Sequence, residues 1–229
     1  MKYLNIGFII FTLALLGFST YQALFVAPTE QTMGDVQRIF YYHAPTAWVA
    51  GVCFFVNFLA SIAYLWKRSL NADALAAASA EVGVVFCTIV LITGPIWAKP
   101  VWGIWWTWEA RLTSTLVLWL IYVSYLILRR FAVGSQTQTL AAALAIFGFV
   151  DVPIVYMSIR WFRTQHPQPV IAGGQGSGLD PVMWHAFLWN LLAFTCVGIA
   201  FIVTRYRLQK LENEVEAAHA QRAIAGGVQ

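Results

Sequence analysis

Long apolar runs alternate with short polar stretches along the whole chain. A helix crosses the hydrocarbon core of a bilayer with roughly 20 mainly apolar residues. Six stretches satisfy that requirement: 4–27, 45–66, 74–97, 112–128, 139–159 and 182–206. The pattern predicts an all-α, polytopic membrane protein with six transmembrane helices in residues 1–206. Residues 207–229 mix Lys, Arg and Glu, with no large apolar face after Leu211. They read as a solvated tail extending the sixth span. Lys2 ahead of the first run also fits a signal peptide. That run is longer than a typical signal core and no clear small-x-small site follows it, so the expectation is a retained helix.

Composition agrees with the pattern. The 229 residues are 60% hydrophobic and 10% charged, with a mean hydropathy of +0.68. A soluble domain of this size carries far more charge. The net charge of +4 is distributed as a membrane protein distributes it and gives no sign of a nucleic-acid partner. Lys2, Lys67, Arg68, Arg129, Arg130, Arg205, Arg207, Lys210 and Arg222 fall on one side, against Arg38, Lys99, Arg111, Arg160 and Arg163 on the other. The positive-inside rule then places both termini in the cytoplasm. Cys53, Cys87 and Cys196 each lie inside an apolar run and form no C-x-x-C pair. They read as small buried residues.

Candidate chemistry concentrates in the outward connections. The segment from Lys99 to Ser114 is KPVWGIWWTWEARLTS, with Trp97 just upstream. Trp102, Trp105, Trp106 and Glu109 have the i, i+3, i+4, i+7 spacing that would share one helix face. Gly103 would let a flat ligand approach the backbone. Tryptophans gather at membrane interfaces as anchors, but Trp102, Trp105, Trp106 and Trp108 lie within seven residues, more than anchoring requires. A broad aromatic shelf suits a large planar apolar ligand such as a porphyrin.

Three histidines, His43, His166 and His185, fall on that same side, while His219 lies in the tail. Haem iron accepts two axial imidazoles, and spacing alone leaves the choice among the three open. Arginines are the natural partners for carboxylates such as the haem propionates. Arg111, directly after the tryptophan segment, is the first candidate for such a contact or for pairing with Glu109. Two acids, Glu81 and Asp151, sit within spans. Such carboxylates usually face a bundle interior. Glu81 reads as pairing with a neighbouring helix or another subunit, and Asp151 as serving backbone groups freed near Pro153.

The segment WGIWWTWEARLTS, the preceding TGPIWAKP, and YYHAP and DVPIV in the flanking spans resemble the haem-handling proteins with a Trp-rich WWD motif. The likeness is closest to the haem exporter protein C (CcmC) family of cytochrome c maturation and covers most of the chain. The family's segment reads WG-x-WW-x-WDARLTS, so Glu109 stands where the family has Asp. The resemblance implies a haem b site formed by Trp97, Trp102, Gly103, Trp105, Trp106, Trp108, Glu109 and Arg111. It implies His43 as one axial ligand, in Tyr41-Tyr42-His43-Ala44-Pro45. It implies His166 as the other, in a segment that departs from the family at Phe162, Gln165 and Pro167. His185 has no counterpart in the pattern and stands as runner-up.

The implied function is haem binding at the periplasmic face of the bacterial inner membrane and delivery to a periplasmic haem chaperone in c-type cytochrome biogenesis. Implied partners are ATP-binding cassette transporter subunits, a small single-span membrane subunit and membrane lipid. The chain has no nucleotide loop, nucleophile or acid–base pair of its own. It therefore reads as delivering haem rather than as an enzyme, with promotion of covalent haem attachment to the chaperone left open. The competing class is a membrane haem oxidoreductase of cytochrome b type. Such proteins usually bracket haems with histidines inside spans, whereas the candidates here lie at one surface.

Overall fold

The computed structural model describes residues 2–132, 134, 136–162, 164–167 and 178–226. Arg163 and the glycine-rich run 173–177 therefore lie outside the described residues. The elements are α1 (Lys2–Tyr21), α2 (Phe40–Lys67), α3 (Leu70–Trp102), α4 (Ala110–Phe131), α5 (Thr137–Phe149), α6 (Asp151–Trp161) and α7 (Pro181–Gly226). A π-helical turn, Gln22–Val26, prolongs α1, and a 3-10 turn, Asp35–Ile39, leads into α2. No strand occurs among the described residues. Six helical segments are long and apolar enough to cross a membrane, with α5 and α6 together forming the fifth.

Helix ends depart from the apolar runs because caps, not hydropathy, set them. Span two begins at Phe40 rather than at Pro45, and Phe40 and Tyr41 are buried in a cluster with Trp97, Met183 and Phe187. Pro45 thus lies in the second turn rather than opening the helix. Span three starts after Ser69, whose side chain accepts a hydrogen bond from the Ala72 N–H. It runs to Trp102 and ends at Gly103, where φ is 76°. That left-handed conformation is one a Cβ disfavours. A helix of 33 residues rises about 50 Å at 1.5 Å per residue. The hydrocarbon core is roughly 30 Å thick, so α3 overshoots it and carries residues at its end beyond the hydrocarbon. Span five divides at Val150. Pro153 lacks the N–H that would bond the Phe149 carbonyl, and Asp151 Oδ2 is buried without a hydrogen-bond partner.

Packing is tightest between α2 and α3. α7 lies against α1, α2 and α3, while α4 packs on α3, α5 and α6. Small residues permit these approaches: a Cβ at Gly198 would stand 2.7 Å from Val49 Cγ1. Phe54 stacks on Tyr122 with ring centroids 3.9 Å apart. Asn57 Nδ2 donates to the Ala76 carbonyl (2.8 Å), and Asn190 Nδ2 to that of Ser19 (3.0 Å). Interhelical bonds of this kind contribute about 0.6 kcal/mol each. At the end away from the site, Arg129 forks onto Asp73 at 2.6 and 2.8 Å. Removing one partner of such a buried pair costs about 3–5 kcal/mol. Glu81 finds its partner within the chain: Arg205 of α7 bonds both of its carboxylate oxygens.

Candidate functional site

Three connections at one end of the bundle converge on one cavity of about 1250 Å³, walled by α2, α3, α4, α6 and α7 together with loop residues. Its size exceeds the usual range for small-molecule sites of roughly 300–1,000 Å³. Ala47 and Gly51 of α2 and Gly94 and Ala98 of α3 face it, and their small side chains leave the space open.

His43 and His166 both line this cavity. His43 is buried in α2, with Trp97 edge-on at 5.8 Å between centroids. Its Nδ1 lies 2.8 Å from Thr93 Oγ1. The Thr93 hydroxyl also lies 2.7 Å from the Ile89 carbonyl; assigning its single hydrogen to that carbonyl makes Oγ1 the acceptor and the His43 Nδ1–H the donor. His166 sits on the loop after α6. Its Nδ1–H donates to the Pro167 carbonyl at 2.9 Å. Burial and the nearby Arg111 guanidinium hold this imidazole down at about 4, partly offset by the Pro167 carbonyl, so it is neutral at pH 7. Both rings therefore carry the proton on Nδ1 and keep the Nε2 lone pair free. A second bond that fixes the tautomer is the usual preparation of a metal-ligating histidine. His185 is exposed on α7 and does not line the cavity.

The tryptophans do not share a helix face. Gly103 ends α3, and residues 104–109 are non-helical, so the i, i+3, i+4, i+7 spacing is not realised. Trp97 and Trp102, at the end of α3, line the cavity together with Trp105 and Trp106 of the loop. Trp108 turns outward, 76% exposed, with its ring edge-on to Trp106 at 5.7 Å. Gly103 caps the helix instead of lining the cavity. The indole nitrogens of Trp97 and Trp106 are buried without hydrogen-bond partners. Such groups are costly unless something satisfies them.

The charged residues divide by task. Arg38 donates to the Ala23 and Ala27 carbonyls and to Asp35 and Thr29, closing the end of α1. Lys99 Nζ donates to the Gly103 carbonyl at 2.9 Å, and Arg160 lies over the Tyr156 ring. Among the described residues, Arg111 is the cation that lines the cavity. It is half-buried and held by Ser158 Oγ at 3.2 Å and the Tyr156 carbonyl at 3.1 Å. Glu109 also lines the cavity. It makes no ion pair with Arg111; its carboxylate accepts the Gln165 N–H at 2.7 Å. Thr93 and the Gln165 backbone escaped the sequence reading. The Thr93 contact depends on the register between two helices, and a peptide N–H carries no residue-type signal.

Two imidazoles with free nitrogens, five tryptophans (Trp48 of α2 is the fifth) and one fixed cation in a single cavity fit a planar metallomacrocycle bearing carboxylates. Comparison with known proteins points the same way. The family described as "heme exporter protein C" matches residues 2–221. The protein of that name from Bradyrhizobium diazoefficiens is 33% identical over 214 residues, covering 93% of this chain and 81% of its own. The one from Escherichia coli K12 is 35% identical over 188 residues, covering 79% and 73%. A putative cytochrome c biosynthesis ccmC-like mitochondrial protein from Marchantia polymorpha is 31% identical over 199 residues, covering 86% and 83%. The chain belongs to the heme exporter protein C family.

Proposed function

We propose that this protein handles haem in cytochrome c biogenesis, binding haem b as cargo in the outward cavity and passing it to a periplasmic haem chaperone. In this reading His43 and His166 are the axial ligands, and Trp97, Trp102, Trp105 and Trp106 form the walls. Arg111 meets a propionate. The cavity lies at the periplasmic face of the inner membrane, with both termini cytoplasmic, a placement that the distribution of Lys and Arg supports. An ATP-binding cassette transporter and a small single-span subunit complete the assembly and supply ATP hydrolysis, for which the chain has no nucleotide loop.

The observation that carries the reading is the matched state of the two histidines. Each has Nδ1 engaged and Nε2 free, and both line one aromatic cavity. Bound haem supplies an iron that accepts two such nitrogens. The names of the relatives, heme exporter and cytochrome c biosynthesis proteins, support the same cargo. The cytochrome b alternative calls for further histidine pairs across the bilayer. The remaining two, His185 and His219, lie on α7 and do not line the cavity.

The test is to titrate haem into the purified protein in nanodiscs and record the absorption spectrum. A saturable six-coordinate spectrum at one haem per chain is expected. Uptake no greater than that of empty nanodiscs would overturn the reading.

A further inference from the structure

His43 and His166 are delivered to the cavity by different means, and the second needs a support that the sequence pattern does not reveal. The loop that bears His166 leaves α6 at Phe162, whose N–H closes the helix on the Ser158 carbonyl. The His166 Nδ1–H bonds to the neighbouring Pro167 carbonyl, which orients the ring without tying it to another element. Among the described residues, one hydrogen bond joins 164–167 to the rest of the protein: Gln165 N–H to Glu109 Oε2, at 2.7 Å across 56 residues.

Glu109 is placed for this role. It is the N-cap residue of α4, with extended backbone (φ −73°, ψ 162°), and its side chain makes no bond to its own helix. Short side chains are the usual caps because they can turn back onto the first-turn N–H groups. The longer glutamate reaches past them. A carboxylate acceptor makes the stronger kind of hydrogen bond. The backbone of Glu109 is itself fixed, since its carbonyl accepts the Thr113 N–H at 2.9 Å.

Resting on the haem reading above, we infer that Glu109 is a positioning residue: it straps the Gln165 peptide to the start of α4 and thereby sets His166 in the cavity. The strap joins the tryptophan loop to the histidine loop, so that two walls of the site hold their spacing together.

The test combines hydrogen exchange on the ligand-free protein with spectra of the haem-bound protein, for wild type, Glu109→Ala and Glu109→Gln. In Glu109→Ala, exchange at the Gln165 amide should rise at least about tenfold while α2 and α4 stay protected. The haem-bound form should lose one axial imidazole, matching His166→Ala, with affinity down by about tenfold, the lower bound for loss of an outer support. Glu109→Gln keeps an acceptor oxygen at the same reach and should restore both protection and the six-coordinate spectrum. Unchanged Gln165 exchange in Glu109→Ala overturns the strap. Faster exchange with an unaltered spectrum overturns its positioning role. A wild-type protein that takes up no haem instead overturns the reading on which this rests, and that outcome is distinct because it appears before any variant is made.

Discussion

The two histidine mounts differ in kind. His43 grows from a 28-residue helix packed closely against α3, and its hydrogen-bond partner belongs to that neighbouring helix. His166 rides on a loop and is held through a single carboxylate from another loop. The first mount can move only with the bundle. The second depends, among the described residues, on one hydrogen bond to the rest of the protein. A site that must hold a ligand and later give it up benefits from one fixed and one yielding support, because only the yielding side has to change for release. Low local stability is where such motion resides.

Substitutions can break or sharpen this contrast. The largest effect is expected from His43→Ala, which removes the proposed fixed ligand: haem affinity should fall by ~100-fold or more, the upper end of what even outer-shell losses produce, as measured by titration. His166→Ala should leave a five-coordinate haem still held through His43, with affinity reduced by about 10–100-fold. If the two variants behave alike, the mounts are equivalent and the contrast fails.

Next comes Thr93→Val, which is nearly isosteric but cannot accept from the His43 Nδ1–H. An affinity loss of about tenfold is expected, with Thr93→Ser restoring it. Equal affinities for Thr93→Val and wild type would show that the tautomer of His43 is fixed by something else. The smallest effect is assigned to His185→Ala. His185 is exposed and outside the cavity, so haem affinity should stay within about twofold, the half-kilocalorie scale of surface changes away from such features. Loss of haem in that variant would shift the second ligand to α7.

Much of the fold could be read from hydropathy, because a bilayer imposes a length on every apolar run. The six spans, their order and their pairing by short connections follow from that constraint. Helix ends do not, since they depend on single caps: Ser69 opens α3 and Gly103 closes it. The same glycine is why the regular spacing of Trp102, Trp105, Trp106 and Glu109 misleads. The spacing is helical, yet the chain leaves the helix one residue after the first tryptophan.

Candidate site residues could be named by type, and the grouping of His43, His166 and Arg111 on one cavity is a matter of tertiary packing. Arg38 shows the converse. It is an arginine on the same side as Arg111, but four neighbouring oxygens engage it in closing α1. Residue type proposes a role, and the local count of acceptors decides it.

The central claim is that two imidazoles from unlike mounts bind one iron. Its most direct test replaces each histidine by glycine and returns the ligand from solution. His43→Gly and His166→Gly should each give a five-coordinate haem spectrum that becomes six-coordinate on adding imidazole. The His166 variant should respond at the lower imidazole concentration, because its loop leaves room for the free ligand. A His166→Gly protein that remains six-coordinate without imidazole would contradict the account.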